Sequence, residues 1–202
     1  MTTPHPGGGD DSAAPVRLRE AGREDLLSVF RIEKAVFDQP WPYAAFEGLL
    51  DAPAFLVAEA TVSDGPTVDP AASSYTDGSG ILGYVVGDSM PNHGRDIGHI
   101  KDLAVRPDAQ RDGLGRRLLR QALQRLAHVG ASVVKLEVRA SNRKAQRLYD
   151  SEGFEPVRKE PSYYGDGEAA YVMALDLGEW IRNEREQLDE LLDDDRESVF
   201  DT

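Results

Sequence analysis

Six residues, Gln110-Arg111-Asp112-Gly113-Leu114-Gly115, limit the fold more than any other stretch because of what stands on either side of them. Residues 98–105 read as a strand ending in Ala104-Val105, and Pro107 follows. Beyond the six, Leu114, Leu118, Leu119, Ala122, Leu123 and Leu126 recur at helical spacing, which predicts an amphipathic helix over residues 115–128. A strand that passes through a glycine-containing loop into a helix leaves the first backbone N–H groups of that helix unpaired, at the positive end of its dipole. Such a turn can cradle a pyrophosphate. Glycine at 113 and 115 removes side chains that would block close approach, and Arg111, Arg116 or Arg117 can add charge. The spacing is not that of a Walker loop, which ends in Gly-Lys-Ser/Thr, nor that of a dinucleotide fingerprint with its third glycine. A tight strand-to-helix turn with no ligand is the plain alternative.

The rest of the chain reads as alternating strands and helices. Residues 16–18 form a short strand, and residues 23–37 a helix carrying Leu26, Leu27, Phe30, Ile32 and Val36. Gln39-Pro40-Trp41-Pro42 stops that helix, and a second, short one follows over residues 43–50. Further strands are expected at 55–61, 81–88 and 132–139, a helix at 143–152 ended by Gly153, and two last strands at 154–159 and 169–175. The last two flank the turn-like Tyr164-Gly165-Asp166-Gly167. Residues 1–15, rich in Gly, Pro and Ser, read as a disordered tail, and residues 62–80 as an insertion too long for a hairpin turn. One folded domain over residues 16–177 results. From residue 178 the chain turns acidic, and a helix anchored by Trp180, Ile181, Leu188, Leu191 and Leu192 is expected to fray at Asp193-Asp194-Asp195.

Composition removes several mechanisms. Cysteine is absent, so disulfides, thiolate metal sites and a cysteine nucleophile are excluded. The four histidines, His5, His93, His99 and His128, show no ligand spacing, and no metal is expected. No apolar run approaches the roughly 18 residues of a membrane span, and MTTPHPGGGDDSAAP is not a secretory leader, so a cytoplasmic protein is expected. The formal charge of -13, with only five lysines, argues against nucleic acid as a partner. Asp outnumbers Glu by 21 to 15, and with lysine this rare the surface resembles that of proteins from halophilic archaea. An ordinary protein with an acidic tail is the alternative.

A second signal lies in Leu136-Glu137-Val138-Arg139-Ala140-Ser141-Asn142, followed by Ala145, Leu148-Tyr149 and Gly153-Phe154. Glu137 interrupts an apolar strand, where an ionised carboxylate is costly without a partner or a task. Burial would raise its pKa and make it a better base near neutrality. Pairing with Lys135 or Arg139 on an exposed face is the structural alternative. Asn142 is a natural N-cap for the next helix, and Tyr149, one turn beyond Ala145, would pack its ring in the core and leave its hydroxyl for chemistry.

Taken together, these stretches resemble the GNAT superfamily of acetyltransferases. Gln110 to Gly115 fits its Q/R-x-x-G-x-G/A motif, and the preceding strand, Ile100-Lys101-Asp102-Leu103-Ala104-Val105, stands in the right place. LEVRASN, the A-x-x-LY spacing, the Gly-Phe pair, Tyr163-Tyr164 before Gly-Glu-Ala, and Met173 resemble the RimI type, which acetylates protein N-termini. The resemblance implies an α/β fold of GNAT type, a central mixed, mostly antiparallel sheet of about six or seven strands flanked by about four helices. It implies acetyl-CoA as cosubstrate and no metal. Leu103, Ala104 and Val105 would hold the pantetheine arm, and the amides of Arg111, Asp112, Gly113, Leu114, Gly115 and Arg116 the pyrophosphate. Asn142 would bond the cofactor or a water. Glu137 would be the base and Tyr149 the acid of direct transfer in a ternary complex. Phe37, Pro40, Trp41, Tyr163 and Tyr164 would wall a groove for the N-terminus of a ribosomal or other nascent protein. The chain has Glu168-Ala169-Ala170 where that type has Glu-Asp-Ala, so one acidic residue of the pattern is missing. A GNAT enzyme acting on a small amine or a lysine, or an idle acyl-CoA-binding module, are the competing readings.

If the carboxylate excess is an adaptation to salt, self-repulsion destabilises the fold in dilute buffer and screening relieves it. Thermal melts should then show Tm rising from dilute buffer to molar KCl. A flat or falling profile would restore the ordinary acidic protein.

Overall fold

Strands with apolar side chains on both faces must be covered twice, and that demand organises the molecule. The computed structural model describes residues 15–61, 80–110 and 113–200, with side chains up to residue 190. All but the inner ends of the expected tail and of the 62–80 insertion lie outside the described residues. Seven strands, β1 (Val16–Glu20), β2 (Leu56–Ala60), β3 (Ile81–Met90), β4 (Asp96–Val105), β5 (Ala131–Arg139), β6 (Glu155–Glu160) and β7 (Ala170–Asp176), make one sheet in the order β1-β2-β3-β4-β5-β7-β6. Every neighbouring pair is antiparallel except β4 and β5, which are parallel. The mixed, mostly antiparallel GNAT sheet expected from the sequence is thus present.

Among the described residues five helices accompany it: α1 (Leu26–Val36), entered through a 3-10 turn at Arg23–Asp25, α2 (Tyr43–Glu47), α3 (Leu114–His128), α4 (Arg143–Ser151) and α5 (Leu177–Phe200). The fifth is the acidic C-terminal segment, which stays helical through residues 193–195, where fraying was expected. α3 buries Leu118, Leu119, Ala122, Leu123 and Leu126 against Leu56, Ala58, Val85, Val134 and Leu136 on one face of the sheet. α1 and α2 cover the other face, setting Leu26, Val29, Ile32 and Phe46 against Phe55, Val57, Tyr84 and Val86. Residues of β2 and β3 therefore alternate between two cores. Each fully buried leucine contributes about 1.5–3 kcal/mol relative to exposure. Gly98 lets α3 approach, since a Cβ there would stand 3.0 Å from both Leu126 and Val134. Among the described residues no helix is long and apolar enough to cross a membrane, and no group of three His, Asp or Glu is placed to hold a metal ion.

One irregularity matters for everything that follows. The register of β3 with β4 passes from Val86 opposite Asp102 to Gly87 opposite Ile100, so Lys101 is an extra, bulged residue. Before the bulge Ile100 faces α3; after it Leu103 and Val105 do. His99 on one side of the bulge and Asp102 and Ala104 on the other consequently share the opposite face.

α4 is fixed at its C-terminal end by a buried carboxylate. Glu152 has a side chain with no solvent exposure; Arg120 Nε donates to its Oε2 at 2.8 Å, and Arg116 Nε lies 3.0 Å from Oε1 without hydrogen-bond alignment. Arg120 also reaches Glu184 of α5 at 3.1 Å. Removing both arginines strands a charge in an apolar layer and should cost about 3–5 kcal/mol, whereas Glu152→Gln removes the charge itself and should cost less. Urea unfolding at fixed salt would rank the two. An Arg116→Ala, Arg120→Ala double variant as stable as Glu152→Gln would mean that the carboxyl is not held as an ion.

Candidate active site

β4 and β5 part company midway. Their pairing runs from Asp96 opposite Ala131 to Ile100 opposite Leu136 and stops. β4 stays with β3 as far as Val105 opposite Gly83, and β5 with β7 as far as Arg139 opposite Ala170. A gap opens between residues 101–105 and 137–139. Backbone groups of successive residues in an antiparallel ladder point to opposite sides. Arg106 N–H bonds the Leu82 carbonyl at 2.8 Å, so Ala104, two residues away, also turns to β3, while Leu103 and Val105 turn to the gap. Leu103 N–H already donates to Asp102 Oδ1 at 2.9 Å, and the Val105 carbonyl accepts from Gln110 Nε2 at 3.0 Å. The Leu103 carbonyl and the Val105 N–H are left to face the gap. Of the three residues that the resemblance assigns to the pantetheine arm, Leu103 and Val105 offer backbone groups there and Ala104 does not.

α3 begins beside this gap. Gly113 caps it in the left-handed conformation, φ 73°, where an L side chain costs about 1–2 kcal/mol. At Gly115 a Cβ would meet Leu103, Val105 and Leu148 only at ordinary contact distance, 3.7–3.8 Å, so the protein's own packing does not demand glycine. Arg111 and Asp112 lie outside the described residues. Arg116 is committed to the end of α4, its Nη2 donating to Ser151 Oγ at 2.7 Å, and Arg117 Nη2 donates to the Val16 carbonyl at 2.9 Å. Among the described residues, the turn presents to an anion the backbone amides of Leu114, Gly115 and Arg116. Lys144 Nζ donates to Gln110 Oε1 at 2.7 Å and ties α4 to the same loop. Asn142 caps α4, its Oδ1 accepting from Ala145 N at 3.0 Å.

Glu137 lies where β5 leaves β4. Its Oε2 is 2.6 Å from His99 Nε2 and its Oε1 3.5 Å from Lys135 Nζ. Burial pushes this carboxyl up, but the hydrogen bond and charge of His99, together with Lys135, outweigh it and hold the group below the ordinary carboxylate range. The sequence expectation of a raised pKa is corrected here: burial is partial, and the donors His99 and Lys135 outweigh it. An ionised carboxylate can only accept, so Nε2 is the protonated, donating nitrogen of His99 in this contact. The alternative partner, Arg139, turns away to Asp166 at 2.7 Å and Glu168 at 2.8 Å.

Tyr149 packs its ring edge-on to Phe154, with centroids 5.8 Å apart. Burial, then the nearby charges of Asp102 and Tyr164, push its hydroxyl well above the ordinary phenol value. Tyr164 lies under the Arg139 guanidinium, 4.0 Å from its ring, and is pushed up to about 12, chiefly by burial. Tyr163 is half exposed and is raised by burial and then by the charge of Glu137, so the tyrosine pair lies within range of that charge. On the opposite wall Phe37 and Trp41 are partly buried against the α1–α2 core, and Pro40 is exposed. Gln39 closes the distance between the walls: a Cβ on Gly165 would stand 3.2 Å from its Oε1. The gap, the Glu137–His99 pair, Tyr149 and both aromatic segments thus converge.

Four residues here went unread in the sequence. His99 is one. The others are Glu33 on α1, Tyr84 on β3 and Asp102 on β4, whose polar ends meet: the Tyr84 hydroxyl lies 2.5 Å from Glu33 Oε2 and 2.8 Å from Asp102 Oδ2. Glu33 Oε1 accepts from Trp41 N at 2.7 Å. Glu33 sits four residues after Val29 and seven after Leu26, on the buried stripe of its helix, and that misplaced carboxylate was the available signal.

The sequence pattern of the Acetyltransferase (GNAT) family matches residues 27–154. The chain is 40% identical over 103 residues to the N-alpha-acetyltransferase daf-31 of Caenorhabditis elegans, a match over 50% of this chain and 57% of that protein. It is 32% identical over 164 residues to an N-alpha-acetyltransferase of Sulfurisphaera tokodaii, covering 80% of this chain and 93% of the relative. Among solved structures, the ribosomal-protein-S18-alanine N-acetyltransferase of Escherichia coli superposes with a TM-score of 0.62 at 27% identity, over 81% of this chain and 94% of that one. With the family pattern spanning more than half of the sequence and the splayed β4–β5 pair in place, the chain belongs to the GNAT family of acetyltransferases.

Proposed function

We propose that the protein transfers the acetyl group of acetyl-CoA to the α-amine of a protein N-terminus, with ribosomal and other nascent chains as the substrate class. The observation that carries this is the His99–Glu137 pair at the mouth of the β4–β5 gap, with Tyr149 behind it and the aromatic walls in front. The gap and the turn at Gly113 fit the cosubstrate. The Leu103 carbonyl and Val105 N–H match the donor and acceptor of a pantetheine amide, and the first-turn amides of α3 suit a pyrophosphate. The named activities of the nematode, archaeal and bacterial relatives support the same substrate class. A cytoplasmic, salt-adapted enzyme agrees with the charge of the chain.

The chemistry is direct: the neutral amine attacks the thioester carbonyl, a C–N bond forms, the C–S bond breaks, and one proton passes from nitrogen to the surroundings. An α-ammonium has a pKa of roughly 7.7–8.0. A carboxylate held below its ordinary range is a poor acceptor for that proton, so Glu137 does not act alone. His99 takes the proton on Nδ1, and Glu137 holds the ring in place and stabilises the imidazolium, as a carboxylate does for histidine in other proton-transfer sites. Tyr149 stays protonated and donates a hydrogen bond to the departing sulfur. Full transfer from it would be uphill, since thiols, at about 8.5, are stronger acids than phenols at about 10.

Glu137→Gln and His99→Ala should each lower kcat by about 10²–10⁴ while leaving the KM for acetyl-CoA unchanged. Full activity of His99→Ala across neutral pH would move the base elsewhere. Because the pKa of Glu137 is depressed in the fold, its stabilisation is present above the ordinary carboxylate value and is lost as pH falls through the lowered one. Glu137→Gln should accordingly flatten the acid side of the stability profile.

The substrate class is tested with a peptide bearing a free N-terminal Ala or Ser and an internal lysine. Mass-spectrometric mapping should place the acetyl group on the α-nitrogen, and blocking that nitrogen should abolish the reaction. Predominant labelling of the lysine would give the side-chain reading instead.

A further inference from the structure

The groups that meet at Tyr84 do not balance unless they hold an extra proton. One phenol oxygen lies within hydrogen-bond distance of two carboxyl groups, 2.5 Å from Glu33 and 2.8 Å from Asp102. A phenol supplies one proton, and two ionised carboxylates supply none. With both ionised, one of the two contacts would set lone pair against lone pair in a buried site, a costly arrangement. One additional proton resolves it: one carboxyl donates to the phenol oxygen, and the phenol donates to the other. Burial and then the facing charge of Glu33 both disfavour the Asp102 anion, so the carboxyl pair holds the proton jointly. Among the described residues, Glu33 from α1 and Tyr84 from β3 meet Asp102, Tyr149 from α4 lies within reach of its charge, and His99 shares its face of β4 but pairs with Glu137. Lys101, next to it in the chain, lies 3.9 Å from Asp88 instead.

What the three side chains connect is as informative as their proton count. Glu33 accepts from Trp41 N, in the segment between α1 and α2, and Asp102 accepts from Leu103 N, on the splayed stretch of β4. We infer that Glu33, Tyr84 and Asp102 form a positioning unit that shares one proton and, while it holds it, fixes the segment 37–42 to the strand that borders the gap. This rests on the reading of that segment as the peptide side of the groove. Removing the proton leaves two buried anions on one phenol, and their repulsion releases Trp41 from the strand. Peptide binding then weakens, while the cosubstrate side, built from β4, β5 and α3, is spared.

Two measurements on the full chain test this. The first needs no turnover: infrared spectra at neutral pH should contain the C=O stretch of a protonated buried carboxylic acid that disappears in Asp102→Asn. Absence of that band in the wild type, or its survival in the variant, would overturn the shared proton. The second is initial-rate kinetics across alkaline pH with a peptide and acetyl-CoA. Asp102→Asn offers a neutral side chain that donates to Tyr84 and accepts from Leu103, so its neutral-pH peptide KM should stay within about twofold of wild type, whereas Asp102→Ala, which loses both bonds, should raise it about tenfold. The wild-type peptide KM should climb at alkaline pH with little change in the KM for acetyl-CoA, and Asp102→Asn should remove that climb. Identical alkaline profiles in wild type and Asp102→Asn, or a neutral-pH KM as high in Asp102→Asn as in Asp102→Ala, would refute the positioning role. Should no α-amine peptide be acetylated at all, the functional reading fails while the infrared band still decides the proton.

Discussion

A strand can follow two neighbours only while they run together, and β4 is bordered by two that diverge. Pairing with β3 continues to Val105, pairing with β5 ends at Ile100, and the residue between these regimes is the bulged Lys101. A bulge sharpens local twist and breaks the ladder where it sits, so the parting and the extra residue have a common origin. Unpaired backbone in a protein interior is costly unless something bonds it. Here the Leu103 amide and the Val105 carbonyl are satisfied by the side chains of Asp102 and Gln110, and the remaining two groups border a space that the sheet itself cannot fill. The active-site gap is what this divergence leaves, and the start of α3 beside it follows from the short connection after Val105.

The order of strands and helices was readable because periodicity is local. The runs 81–88, 98–105 and 132–139 and the leucine stripe of α3 lie close to the observed elements, with boundaries differing by a few residues. The polar network was not readable for a reason of parity. In a regular strand residues 99 and 102 point to opposite faces, so His99 and Asp102 do not suggest a common site; the bulge brings them to one face, and nothing in the local pattern announces it. Glu137 could be singled out, but its ionisation could not, because His99 approaches from a strand whose neighbour in the sheet is known only from the fold. Glu33 and Tyr84 are separated from Asp102 by 69 and 18 positions and meet only when α1 lies across β3 and β4. Asn142 is the converse case: its capping role is local, and it is found where the sequence put it.

Two carboxyl groups near one gap are driven in opposite directions by ordinary means. Glu137 is partly buried among donors and stays ionised, whereas Asp102 is buried against another acid and is pushed well above the carboxylate range. Pairs of acids whose surroundings separate their pKa values divide tasks between charge and neutrality. Glu137 keeps its charge against the ring of His99. Asp102 belongs to a structural link in which two carboxyls share a proton, and its ionisation would set a second anion against Glu33.

The walls of the groove depend on the same strands that form the gap. On one side Trp41 hangs from Glu33, and through Tyr84 from β4. On the other, Arg139 at the end of β5 carries Tyr164 on its guanidinium face and holds Asp166 and Glu168, while Glu168 also accepts from Ser141 N at 2.8 Å. Ala169 stands where the resembling type has an acid, and its carbonyl accepts from Ala140 N at 2.9 Å, so that corner is closed through backbone rather than charge. Each wall is tied to one of the two diverging strands, and Gln39 stands near Gly165 across the front, where an added Cβ would meet its Oε1 at 3.2 Å. A change in the separation of β4 and β5 must therefore move both walls. The two walls and the gap are thus built on one pair of strands, and the separation of those strands sets the width of the groove as well as of the gap.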